Sequence, residues 1–166
     1  SLDFWRNEII KSNNYSLNSY KKIISLEELN NSFLKYKKRV LTKNSNLMIK
    51  LASFLPFVKP FGKIVVYVEE LKKSVTFDFF SEKLVITELD YDISLSSESL
   101  NFIFNSSYGF DTLTVNGCFE TGNKNGFEKV TKLLAIENLN NLGIYFNFLI
   151  ILNLKIFLIF FDRLKK

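Results

Sequence analysis

The sequence predicts an α+β fold, with N-terminal helices followed by an antiparallel meander sheet covered by helices. Three observations lead there. Apolar residues recur at helical spacing as far as about residue 55. The period then changes to two between residues 62 and 95, and helical spacing with polar caps returns after Ser96. A chain of 166 residues, 47% of them hydrophobic, fits one ordinary domain with a real core. It divides into a helical segment 1–61, an α+β part 62–143 and an apolar C-terminal helix 144–166.

Residues 1–58 read as helical. Ser25-Leu-Glu-Glu28 is a capping box, in which the Ser25 hydroxyl takes an orphan amide and Glu28 reaches back. Leu26, Leu29, Phe33, Leu34 and Tyr36–Val40 continue a helical stripe. The apolar stretch Leu47–Leu55 ends at Pro56, and Pro56, Pro60 and Gly62 mark a boundary. Beyond it Ile64–Val68 is rich in β-formers, and Lys72-Lys73-Ser74 turns the chain. Val75, Phe77 and Phe79 alternate with Thr76 and Asp78 as a half-buried strand. Ser81-Glu82-Lys83 makes a second turn, and Leu84–Leu89 and Tyr91–Leu95 continue the meander, one face wet. In the last strand Tyr91, Ile93 and Leu95 face one way, Asp92 and Ser94 the other.

Ser96 then caps a short helix, with Glu98 in its first turn and Leu100, Ile103 and Phe104 on one face. Gly109 ends or follows it. Thr112–Val115 reads as a strand, with Gly117 as a bulge or turn. Asn125 caps a later helix, Glu128 takes the reciprocal position, and Phe127, Val130, Leu133 and Leu134 form its stripe.

Residues 144–161 are nearly all apolar, interrupted by Asn147, Asn153 and Lys155, a run just long enough to span a bilayer. As a helix, it brings Asn147, Lys155, Asp162 and Lys166 within about 100° of one another at 3.6 residues per turn. Packing on protein, insertion into or onto a membrane, and a strand pair all stay open. The closing Asp-Arg-Leu-Lys-Lys suits a cytoplasmic membrane flank and a helix C-terminus equally.

The chemistry is bounded by what the chain lacks. It has no histidine, which excludes Ser-His-Asp and Cys-His arrangements and His-based zinc or iron sites within it. One cysteine, Cys118, builds neither an internal disulfide nor a Cys-cluster metal site, and fits a reducing, cytoplasmic setting. No phosphate-cradling glycine loop occurs; Gly117, Gly122 and Gly126 have the wrong spacing and read as a polar loop. No cofactor is expected on this chain. Asp90 and Asp92, two apart, would share one face of a strand, where they serve acid/base or cation chemistry or simply line a solvated edge.

The net charge of +5 is uneven. Residues 1–60 carry 11 basic against 4 acidic groups, residues 61–143 carry 7 against 12, and residues 144–166 carry 4 against 1. Lys35, Lys37, Lys38, Arg39 and Lys43 are the cluster a nucleic acid would use, but no nucleic-acid-binding motif accompanies them. They read as a basic helical layer beside an acidic sheet. The 18 Phe residues, with abundant Lys, Asn and Ile, match the codon usage of an A/T-rich genome, so aromatic content is not evidence of a stacking surface. Ser1 opens the chain without Met or a signal sequence, the expectation being a fragment whose upstream part is missing.

The stretches Glu88–Leu100 and Tyr108–Gly117 resemble the sterol-carrier-protein-type fold, in which a strand carries an Asp, a Ser-rich cap opens a helix and a strand ending in Gly follows. Gly109–Gly117 with Phe119 also resembles the C-terminal region of metallo-β-lactamase-fold proteins related to CMP-N-acetylneuraminate hydroxylase. Together these resemblances cover roughly residues 62–137. They imply an accessory or ligand-binding domain of a larger metal-dependent enzyme whose metal ligands lie upstream. They carry no metal role onto this chain, which lacks every histidine.

The candidate ligand-binding residues are Phe77, Phe79, Ile93, Leu95 and Phe102, the lining of a tunnel between sheet and helix, and Tyr108, Gly109, Asp111, Thr112 and Asn116, an accessory surface. The expected functions are therefore an accessory module bound to an upstream domain, a free-standing carrier of an apolar small molecule, or a membrane-anchored interaction domain using 144–161. Nucleic-acid binding is the weakest of these expectations.

Overall fold

The computed structural model describes residues 22–54 and 60–148. The helical expectation for residues 1–21, the boundary at Pro56 and the apolar run from residue 149 lie outside the described residues. Among the described residues no helix is long and apolar enough to cross a membrane.

Among the described residues two helices come first, α1 (Leu26–Lys43) and α2 (Asn46–Ser53). Ser25 caps α1 as its sequence demands, its hydroxyl accepting the Glu28 N–H at 3.2 Å. Leu29, Phe33, Tyr36 and Val40 give α1 one buried stripe. Asn44 breaks the helical path in extended conformation, and Ser45 caps α2 through the Met48 N–H.

Strands β1 (Ile64–Val68), β2 (Lys73–Phe77), β3 (Val85–Thr87), β4 (Ile93–Leu95) and β5 (Glu120–Thr121) form one sheet in the order β3-β2-β1-β4-β5. The first three strands are the expected meander. The expected continuation is corrected: β4 does not pair with β3 but lies parallel to β1, with Val66 opposite Ile93 and Val68 opposite Leu95. The sheet is therefore mixed. Burial explains the choice, because Ile93 and Leu95 join Ile64, Val66, Val68, Val75 and Phe77 under the helices, whereas beside β3 they would sit at an exposed edge. The expected facing within Tyr91–Leu95 also changes. Tyr91 precedes the strand and stacks on Tyr67, which lies opposite Ser94 and so on the far face from Ile93 and Leu95.

The helical layer is completed by α3 (Ser97–Asn105), α4 (Gly109–Asn116) and α5 (Gly126–Asn141). Ser96 caps α3 through the Ser99 N–H. The strand expected at Thr112–Val115 is corrected to the body of α4. The two threonines satisfy their hydroxyls within the helix: Thr112 Oγ1 donates to Tyr108 O at 2.9 Å and Thr114 Oγ1 to Phe110 O at 2.8 Å. Phe110 and Leu113 turn one face inward, and Gly117 closes the helix in left-handed conformation. Asn125 precedes α5 without a side-chain cap, and Glu128 pairs with Lys132 along the helix instead of reaching back.

One apolar core takes residues from Ile24 to Phe146. Its centre is aromatic. Phe33 contacts Phe77 and Phe104, Tyr36 contacts Phe79 and Phe104, and Phe61 contacts Phe79 and Phe146, at centroid separations of 5.1–6.1 Å. Ile144–Asn147, expected to begin the C-terminal helix, are not helical. Phe146 is tied to the α1–α2 junction, donating to Asn44 Oδ1 at 2.7 Å and accepting the Ser45 N–H at 2.9 Å.

Candidate functional site

The ten candidate residues separate into two groups. Phe77, Phe79, Ile93 and Leu95 are buried in the core, where their neighbours are other apolar side chains. Phe102 and Tyr108 are exposed on α3 and the α3–α4 turn, and Gly109 opens α4. Asp111, Thr112 and Asn116 are exposed along α4; Asp111 accepts from Asn138 Nδ2 of α5, and the Thr112 hydroxyl bonds its own helix.

The two clustered carboxylates part company. Asp90 is exposed, whereas Asp92 is only 1% exposed. Its Oδ2 accepts the Val65 N–H at 2.9 Å, and its Oδ1 accepts from Asn123 Nδ2 at 3.1 Å and Lys129 Nζ at 2.9 Å. The wet face expected for Asp92 and Ser94 is thus corrected. Asp92 staples β1, the loop after β5 and α5, while Ser94 donates to Glu69 Oε1 at 3.0 Å.

A second charged cluster joins α1 to α5. Arg39 clamps the buried Glu137 carboxylate through Nε on Oε1 and Nη2 on Oε2, and its guanidinium lies over the Tyr36 ring. The hydrogen bonds to Glu137 raise the Arg39 pKa above its ordinary value. Burial, and then the Glu137 charge, pushes the Tyr36 phenol well above its own. Among the described residues the Tyr36 hydroxyl has no hydrogen-bond partner.

Among the described residues, one concave feature that gathers polar groups around apolar ones is a cleft of about 340 Å³, lined by Lys37 and Leu41 of α1, Asn46, Leu47 and Lys50 of α2, and Phe79 and Phe80. Local sequence explains its walls. Asp78 Oδ1 accepts the N–H groups of Phe80 and Ser81, a tight turn that sends Phe79 into the core and leaves Phe80 partly exposed. Asn44, exchanging two amide hydrogen bonds with Asn140, fixes the angle at which α2 leaves α1. Lys37 Nζ donates to Ser81 O at 2.7 Å across the cleft. Among the described residues of the lining the two charged ones are both lysines.

Of the ten candidates, Phe79 reaches this cleft; Leu41, Asn46, Leu47, Lys50 and Phe80 were not singled out from sequence as site residues. The signal for the cleft was present only in fragments, with Lys37 in the basic cluster and Leu47 in the apolar stretch. Among the described residues no group of three or more Cys, Asp and Glu side chains is placed to hold a metal ion. No protein-family model, no curated protein and no solved structure matches the chain.

Proposed function

We propose that this chain is a non-catalytic binding module, and that its ligand is an amphipathic small molecule with an apolar body and an anionic head, held in the cleft between α1, α2 and Phe79–Phe80. The carrying observation is the lining itself: an apolar floor of Leu41, Leu47, Phe79 and Phe80 beside two ammonium groups. Its volume falls within the roughly 300–1,000 Å³ of small-molecule sites. This keeps the carrier reading of the sequence and moves the ligand from the sheet–helix interior to the surface. An accessory role in a larger metal-dependent enzyme is a separate proposal that rests on the sequence resemblance alone.

Calorimetry with decanoate and decyltrimethylammonium, each below its micellar concentration, tests the reading. Decanoate is expected to bind saturably, and Lys50→Glu to weaken it about tenfold, equivalent to about 1.4 kcal/mol. Equal binding of the cationic amphiphile removes the anion preference. If neither binds, the cleft is not a ligand site.

A further inference from the structure

Helix α2 has two apolar faces where a surface helix needs one. Met48, Ile49 and Ala52 are buried against the core. On the other side Leu47, Leu51 and Phe54 are 56%, 55% and 74% exposed. At 3.6 residues per turn these three fall within about 60° of one another, opposite the buried face. Lys50 flanks the stripe and is exposed.

Along the sequence on either side of this stripe the charge has one sign. Between Glu28 and Glu69 the sequence contains no carboxylate and eight basic residues, with Lys35, Lys38, Lys43 and Lys50 exposed. Phe148, also exposed, lies two residues beyond Phe146, whose carbonyl accepts the N–H of the α2 cap Ser45, and it precedes the apolar run 149–161. The described chain therefore leaves for that run near the start of α2.

We propose that the exposed face of α2 docks on an anionic lipid bilayer, with Leu47, Leu51 and Phe54 entering the headgroup–acyl boundary and the lysines of α1 and α2 meeting acidic headgroups. A lipid surface accepts a convex apolar ridge without a complementary groove, and a cationic margin adds electrostatic attraction. Nucleic acid would use the lysines but offers nothing to a protruding Leu-Leu-Phe stripe. The proposal deepens the cleft reading, since Leu47 and Lys50 belong to both surfaces and the bilayer is where an anionic amphiphile would be collected.

The test is flotation of the full chain with vesicles of phosphatidylcholine alone and with about a third phosphatidylserine, a content that gives a strongly negative surface. Binding is expected on the serine-containing vesicles, falling with added salt. Lys50→Glu is expected to weaken it several-fold, by more than the roughly fivefold of one surface lysine, because the charge is reversed. The double variant Leu51→Asp with Phe54→Asp is expected to weaken it more than tenfold, following the loss of buried apolar area. Both positions are solvent-exposed and outside the cleft lining, so an unchanged circular dichroism spectrum and unchanged decanoate binding separate this proposal from the cleft reading. Vesicle binding untouched by the double variant would overturn the proposal and assign the membrane contact elsewhere in the chain. Equal binding to both vesicle types, or binding to a duplex oligonucleotide without binding to vesicles, would overturn it as well.

Discussion

At the scale of single residues, composition limited the chemistry and burial decided what remained. Asp92 reads from sequence as half of an exposed carboxylate pair, yet it is buried and both its oxygens accept hydrogen bonds. Periodicity gives an acid's neighbours along the strand but not the loop and helix that later cover it. Tyr36 is the converse case, a phenol inside an aromatic core whose hydroxyl finds no partner among the described residues. Replacing Tyr36 with Phe is expected to raise stability by about 1 kcal/mol, since a buried unsatisfied hydroxyl carries a desolvation penalty of that order. The pH dependence follows from the raised phenol pKa. Below about pH 10 the tyrosine is neutral in both states and its contribution is intact. Above that, the unfolded chain ionises while the fold retains the proton, so stability falls as pH rises. Urea midpoints measured from pH 8 to 11 should fall less steeply for the Phe variant, and an identical slope would refute the assignment.

At the scale of elements, local patterns located most helices and strands, and capping residues placed several of their ends. Ser25 and Ser96 cap as their positions require, and Ile64–Val68 is a strand. Thr112–Val115 misleads because β-branched residues favour strands on average, while inward-facing Phe110 and Leu113 and the terminating Gly117 favour a helix here. The two glycines that bound the following loop have different roles. Gly117 needs its positive φ of 63° and has open space around it, so Gly117→Ala is expected to destabilise by about 1–2 kcal/mol. At Gly126 a methyl group would lie 2.0 Å from the Asp92 carbonyl oxygen, so α5 cannot approach β4 with any side chain there. Gly126→Ala is expected to cost more than the usual 1–3 kcal/mol of overpacking, or to prevent folding. Thermal denaturation of the two variants side by side checks the order; a milder effect at Gly126 than at Gly117 contradicts this packing.

At the scale of the whole molecule, contacts between distant parts of the chain set the architecture. Arg39 and Glu137 lie 98 residues apart and join α1 to α5. Arg39→Ala strands a carboxylate whose side chain is only 6% exposed, and is expected to destabilise by about 3–5 kcal/mol. The double variant Arg39→Met with Glu137→Leu should recover most of that, because neither charge is left without its partner. Urea titrations of both check it, and a double variant no better than Arg39→Ala would show that the loss is steric.

Order in the chain was enough for the α+β class, the first three strands, the caps at Ser25 and Ser96 but not at Asn125, and the exclusion of histidine-based chemistry, because periodicity, turn residues and composition are local properties. Folding in three dimensions decided that β4 lies beside β1, that Asp92 and Ser94 are covered, and that Lys37, Lys50 and Phe79–Phe80 meet at one cleft. Those outcomes depend on which apolar surfaces cover one another, an energy shared among residues tens of positions apart that no window of sequence contains.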